Sequence, residues 1–304
     1  MKIIRSRYAG ACYGVERALS LVDEAALSST GVIHTLGPLI HNPQVVSELR
    51  DRGVQEASAV EDVAEGVLII RSHGVAPAVI EQANAQGLQV VDATCPHVKK
   101  AQAAARKLWE QGYQVLIVGE LGHPEVESIR AYAGNQALVV QDPSGLQDPS
   151  GVQDPSGLQD PSGVQDPSGV QDPSDLAYEK IGIVVQTTQS EAALKAVVEA
   201  LKQRGVTPVV HNTICFATRQ RQEAAVELAK TANVMLVVGG RNSGNTTRLA
   251  QLCSQACEKT YHIERACELE VEWFIGAQNV GITAGASTPE EQIILVEKAL
   301  EELL

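Results

Sequence analysis

Aromatic residues are scarce, 3% of 304 residues with two Phe and two Trp, so the interior must be built from Val, Ile, Leu and Ala. Positive charge is also short: 24 Lys and Arg face 37 Asp and Glu, a formal net charge of −13. Nucleic-acid binding relies on clustered cations, so this balance argues against it, and any anionic ligand must be held by local groups. No uninterrupted apolar run approaches the roughly 18–20 residues of a membrane span, and no membrane association is expected. The opening M-K-I-I-R-S-R-Y-A-G has no apolar segment of the secretory kind, which leads to the expectation of a cytoplasmic protein with reduced thiols. Tight C-x-x-C pairs are missing, which speaks against a closed structural zinc site. G-G-R-N-S-G-N after a strand is not a G-x-G-x-x-G fingerprint, so no built-in flavin or nicotinamide site is expected.

What the chain does have is a threefold recurrence. Cys12, Cys95 and Cys215 each precede a helical period, then a β-branched run, then a turn with a polar residue. Those residues are His41, His123 and Ser243, at offsets of 29, 28 and 28. A second strand-turn-helix unit follows in each third and ends near His73, Thr187 and Ser287. Recurrence of this kind points to repeated structural units. Three α/β units are expected, over 1–93, 94–212 and 213–304.

Residues 141–176 hold a different repeat, six hexapeptides of the type Q-D-P-S-G-L. Each D-P-S-G carries type I turn chemistry. The segment reads as an expanded surface turn, with a small ordered stack as the alternative. Removing five copies shortens the His123 to Thr187 spacing from 64 to 34, close to the 32 between His41 and His73.

Helical periods are expected over 14–27, 43–52, 77–86, 97–111, 124–131, 190–204, 218–231, 245–255 and 289–304. Strands are expected over 2–5, 31–35, 67–71, 90–92, 114–118, 181–185, 207–210, 234–238 and 280–283. Alternation of this kind implies parallel sheets, whose ligands bind at the carboxyl ends of the strands. The candidate residues all fall in those turns.

A thiol at a helix N-terminus favours the thiolate and hence metal ligation. Three such thiols at equivalent positions, without a fourth protein ligand, suit one 4Fe–4S cluster with an open iron better than zinc. Cys253, Cys257 and Cys267 have no counterparts in the other thirds and read as core or surface cysteines. The polar turns (His41, His73, His123, Thr187, Ser243, Asn245 and Ser287) offer donors at helix starts suited to a diphosphate. Glu125 is the one carboxylate in this set, either a proton source or a helix cap.

The motifs G-A-C-Y-G-V, H-N-P-Q-V-V-S-E-L, S-H-G-V, D-A-T-C-P, G-H-P-E-V-E, Q-T-T-Q-S, I-C-F-A-T-R-Q-R-Q-E-A, N-S-G-N and T-A-G-A-S occur in this order. The set resembles the 4-hydroxy-3-methylbut-2-enyl diphosphate reductase family, which closes the methylerythritol phosphate route to isoprenoids. The resemblance covers the whole chain apart from the hexapeptides. It implies a pseudo-threefold trefoil of three α/β units around one 4Fe–4S cluster held by Cys12, Cys95 and Cys215. It further implies that His41, His73, His123, Ser243, Asn245 and Ser287 cradle the diphosphate, with the backbone N–H of Gly244. Thr187 would contact the substrate hydroxyl, and Glu125 would supply protons. The family usually has Phe at the place of Ala11, and often Ser at the place of Gly244.

The activity implied is reductive dehydroxylation of an allylic diphosphate to isopentenyl and dimethylallyl diphosphate, with electrons from ferredoxin or flavodoxin. A monomer is expected. Two other activities remain open on the residues: an iron–sulfur hydro-lyase using the open iron only as a Lewis acid, and a non-enzymatic iron–sulfur sensor.

Overall fold

The structure, a computed structural model, describes residues 1–29, 31–146 and 180–303. All but the first of the hexapeptides lie outside the described residues. In chain order the first elements are β1 (Lys2–Arg5), α1 (Tyr13–Ser28), β2 (Ile33–Leu36), α2 (Pro43–Asp51), β3 (Val54–Ala57), β4 (Val67–Ile70), α3 (Pro77–Ala85) and β5 (Gln89–Asp92). There follow α4 (Pro96–Glu110), β6 (Gln114–Val118), α5 (Pro124–Tyr132), β7 (Leu138–Val140), β8 (Ile181–Val185), α6 (Glu191–Gln203) and β9 (Val209–His211). The last are α7 (Phe216–Ala229), β10 (Val234–Val238), α8 (Gly244–Ser254), β11 (Thr260–Ile263), β12 (Asn279–Ala284) and α9 (Glu290–Leu303).

The strands form three four-stranded parallel sheets, ordered β3-β2-β4-β5, β7-β6-β8-β9 and β11-β10-β12-β1. All three orders are the same: first and third strands in the middle, second and fourth at the edges. In the last sheet the fourth strand is the start of the chain, with Lys2 beside Asn279 and Arg5 beside Ile282. The segment 1–93 therefore gives its first strand to the sheet of 213–304. The described chain divides into two compact units, Met1–Lys99 with Ile214–Leu304, and Lys100–Thr213. Within the first of these, the segments 1–93 and 213–304 are joined by β1 beside β12 and by Asn42 Nδ2, which donates to Ser287 O and Gln292 Oε1.

Central strands such as V-L-I-I of β4 and V-M-L-V-V of β10 are buried at every position, as parallel strands covered on both faces must be. Val67 and Ile69 pack with Val15, Val22, Val45 and Leu49 of α1 and α2. Leu68 and Ile70 face the other way, toward Ala83 of α3 and Leu88. In the second unit, Ala101, Ala105 and Leu108 of α4 pack on Val115, Ile117 and Ile129. The largest fully buried side chains are Leu, Ile and Met, which is how a chain so poor in aromatics fills its interior. Among the described residues no helix is long and apolar enough to cross a membrane.

The first hexapeptide forms a short 3-10 turn over Pro143–Leu146. The Asp142 carboxylate accepts from Ser144 N at 2.8 Å, the turn chemistry expected of D-P-S-G.

Candidate active site

The middle strands of each sheet, β2 and β4, β6 and β8, β10 and β12, lead into the polar turns. The space beyond the carboxyl ends of such strands, where the chain order reverses, is where parallel α/β sheets bind ligands. Each cysteine follows the fourth strand of a sheet: Cys12 after β1, Cys95 after β5, Cys215 after β9. Each also opens the next helix. Cys12 and Cys215 are the N-caps of α1 and α7, and Cys95 immediately precedes Pro96 of α4.

All three cysteines belong to the first unit and are half-buried. Cys12 N donates to Ala286 O at 3.0 Å, and Cys95 N to Ser72 O at 2.9 Å. In both cases the acceptor immediately precedes a polar turn residue, Ser287 or His73, so thiol and turn are fixed by one hydrogen bond. A Cβ built on Gly14 would stand 2.7 Å from Cys95 Sγ and 3.8 Å from Cys12 Sγ. Glycine at that position makes the space in which two of the sulfurs lie. Arg17 of α1 reaches the carbonyls of Asp92 and Thr94 just ahead of Cys95, at 3.3 and 3.4 Å.

The Cys95 thiol departs from the expectation of a depressed pKa. Burial pushes it up, the backbone N–H groups of His97 and Val98 pull it down, and the neighbouring Cys12 and Cys215 raise it further. A helix N-terminus alone does not outweigh burial beside two like groups. Among the described residues no set of three or more His, Cys, Asp or Glu closes on a single point as one metal ion requires. A polynuclear group would take each thiolate on a different metal atom and so hold them farther apart.

The turn after β2 carries His41 and Asn42. Asn42 is the N-cap of α2, accepting from Gln44 and Val45 N, and its Nδ2 donates to Ser287 O at 2.8 Å and Gln292 Oε1 at 3.0 Å. Ser287 Oγ in turn donates to His41 O at 3.0 Å. The rings of His41 and His73 lie 4.2 Å apart, centroid to centroid. Burial, then the Arg71 charge, lowers the His41 pKa to about 4, so this imidazole is neutral at pH 7. The β10 turn packs here too: a Cβ on Gly240 would come within 3.0 Å of His41 O. Ser243 is the N-cap of α8, accepting from Thr246 N. Asn245 is 6% exposed, and among the described residues its buried Nδ2 finds no acceptor.

In the second unit, His123 is the N-cap of α5, and its Nδ1 accepts from Glu125 N at 3.1 Å. That bond assigns the proton of the neutral ring to Nε2. Glu125 is 2% exposed. Its Oε1 accepts from Thr187 N at 2.6 Å and its Oε2 from Thr187 Oγ1 at 2.9 Å. The carboxyl is thus directed across to the turn after β8. Burial raises its pKa to about 7, opposed by the two Thr187 hydrogen bonds. Gln186, one residue earlier, accepts from Glu120 N at 2.9 Å and ties the β6 and β8 turns together.

Cys253 and Cys257 are buried in an apolar cluster with Met235, Val237 and Leu249, while Cys267 is exposed. Burial beside Cys257 pushes the Cys253 thiol up to about 12, far from a ligand's behaviour. Three residues of the site were not singled out from the sequence: Asn42, Gly14 and Arg221. The last had a legible signal, a charge on the inward stripe Thr218, Arg221, Ala225, Ala229 of α7.

Fold and site together define an α/β protein whose helix starts present thiols and whose strand-end turns present neutral polar donors. The LytB protein family matches residues 3–301, and the chain belongs to that family. It is 43% identical over 303 residues to a 4-hydroxy-3-methylbut-2-enyl diphosphate reductase of Geotalea uraniireducens, covering 100% of this chain and 97% of the relative. It is 45% identical over 294 residues to one from Geobacter sp. strain M21, covering 95% and 93%. A solved structure of (E)-4-hydroxy-3-methyl-but-2-enyl diphosphate reductase, described as the terminal enzyme of the non-mevalonate pathway, is 39% identical. It covers 99% of this chain and 100% of its own, with a TM-score of 0.66. The structure of the E-1-hydroxy-2-methyl-but-2-enyl-4-diphosphate reductase from Plasmodium falciparum is 23% identical and has a TM-score of 0.83 over 99% and 87% of the two chains, a likeness of fold.

Proposed function

We propose that this chain reduces (E)-4-hydroxy-3-methylbut-2-enyl diphosphate to isopentenyl and dimethylallyl diphosphate, using one 4Fe–4S cluster on Cys12, Cys95 and Cys215. The observation that carries this is the set of three thiols at equivalent helix starts, with Gly14 leaving space between two of them. The residues present fit such a group. The donors are soft sulfurs, as iron–sulfur centres require, and Arg221, a buried cation beside Cys12 and Cys215, suits an anionic occupant.

When bound, the cluster would relay the electrons one at a time and offer an open iron. Overall, two electrons and two protons enter, the C–O bond of the allylic alcohol breaks, and water leaves. His41, His73, His123, Ser243, Gly244, Asn245 and Ser287 hold the diphosphate. Neutral His41 and the unpartnered Asn245 Nδ2 support a cradle built from hydrogen bonds at helix starts more than from net charge. Glu125, whose pKa of about 7 leaves much of it protonated near neutrality, carries the proton destined for the departing oxygen. With its proton on Oε2, Glu125 donates to Thr187 Oγ1 across the 2.9 Å separation, and the threonine hydroxyl donates its own proton onward. The second proton enters at either of two carbons, which accounts for two products. Ferredoxin or flavodoxin supplies the electrons, and the protein works as a cytoplasmic monomer in three repeated segments.

The test is anaerobic purification, iron and sulfide analysis, electron paramagnetic resonance, and product analysis with and without a low-potential reductant. Two isomeric diphosphates, formed only with reductant, are expected. Products without reductant would make the protein a hydro-lyase, and an intact cluster with neither turnover nor diphosphate binding would make it a sensor.

A further inference from the structure

Arg221 lies on α7 six residues after Cys215, on the face of the helix turned inward, and is 3% exposed. Its Nη2 donates to the carbonyl of Gly10 at 2.6 Å, two residues ahead of Cys12. The guanidinium therefore stands between the chain segments that carry two of the three cysteines. Nε and Nη1 are buried as well, and among the described residues nothing in the protein accepts from them. No carboxylate pairs with it there either. A buried guanidinium with two unsatisfied N–H groups is costly and asks for an anion. The thiols of Cys12 and Cys215 are the groups that push its pKa up, against burial, which lowers it.

We propose that Arg221 is a positioning residue of the cysteine centre: its Nε–H and Nη1–H donate to the anionic group held by Cys12 and Cys215, and its charge sets that group's reduction potential. This rests on the assignment of an iron–sulfur cluster to the three cysteines. A fixed positive charge in a low-dielectric surround stabilises the state that carries the additional electron, and hydrogen bonds to the sulfurs of such a cluster act in the same direction. Arg221 thus makes the cluster easier to reduce and anchors it against the two segments that meet at Gly10 and Cys215.

The test compares holoenzyme of the wild type, Arg221→Gln and Arg221→Lys, all prepared anaerobically, in reductive titrations followed by electron paramagnetic resonance. Arg221→Gln should lower the midpoint potential by at least a tenfold change in the reduction equilibrium, about 59 mV for a one-electron couple. Arg221→Lys, which keeps the charge, should recover most of that shift. An unchanged potential in folded Arg221→Gln overturns the proposal. Should that variant fail to fold or to keep its iron, wild-type holoenzyme labelled at the arginine guanidinium nitrogens decides the matter. Pulsed resonance of the reduced cluster should then show a nitrogen coupling that is absent from Arg221→Lys, and no such coupling in the wild type overturns the proposal. Iron and sulfide analysis of the wild type separates the two levels. A wild type without cluster removes the assignment itself and this role with it, whereas a loaded wild type with an indifferent Arg221 removes only the latter.

Discussion

The sulfur of Cys95 occupies the space that a side chain on Gly14 would need, since a Cβ at residue 14 would lie 2.7 Å from it. Glycine in a helix costs about 0.5–1 kcal/mol relative to alanine, so its place in the first turn of α1 is a local loss offset by room for the thiol. Gly14→Ala should lower iron content severalfold, by displacing the Cys95 sulfur. Adding Cys95→Ala should remove the clash and raise the melting temperature of the metal-free protein above that of Gly14→Ala alone. Iron per chain and thermal unfolding measure both. Full iron in Gly14→Ala would mean that the thiol simply turns aside.

Serine at Cys12, Cys95 or Cys215 should abolish cluster absorbance one variant at a time. Cys257→Ala should keep it, because that side chain packs with Met235 and Leu249 in the interior. Its cost is expected in stability, on the order of 1 kcal/mol. Loss of absorbance in Cys257→Ala would contradict the assignment of ligands by repeat position.

Glu125→Gln keeps shape and removes the transferable proton, so turnover should fall by about 10²–10⁴ with the cluster intact. Wild-type turnover should decline as pH rises through about 7, where Glu125 loses its proton. The same shift acts on stability. The folded-state pKa is raised, so the folded chain binds the proton more tightly, and that contribution is full below pH 4.5 and lost as pH rises through about 7. Melting temperatures of Glu125→Gln should lack this component. Near-normal turnover in Glu125→Gln would leave the carboxyl as a structural partner of Thr187.

Deleting residues 147–176 retains the first hexapeptide, whose Leu146 carbonyl accepts from Arg204 Nη1 at 2.6 Å. Turnover and iron content should stay near wild type, since the repeat lies outside every motif. A large loss of activity in a folded variant would give the repeat a role at the site.

The local pattern carried most of the elements. Nine helices were expected and found among the described residues, and nine strands were expected where the described residues have twelve. The three strands not anticipated are β3, β7 and β11, and all take the same edge position in their sheets. Their residues explain it: V-Q-E-A is buried only at its ends, L-V-V is three residues long, and T-Y-H-I mixes polar and apolar. An edge strand has a partner on one side only, so it needs less apolar sequence and leaves a weaker signal.

By itself the sequence determined which residues stand at helix starts and strand ends, and hence that the three thiols and the polar turns occupy equivalent places. Periodicity and turn chemistry act over a few residues, so they are readable in one dimension. Tertiary structure decided what depends on distant neighbours. It placed β1 beside β12 across the length of the chain and brought Thr187 to Glu125 across 62 positions. It also buried Glu125 and Arg221 and half-buried Cys95. The charge a side chain can carry is set by solvent exclusion and by the groups facing it. Neither exists until the sheets have formed and the helices have packed against them.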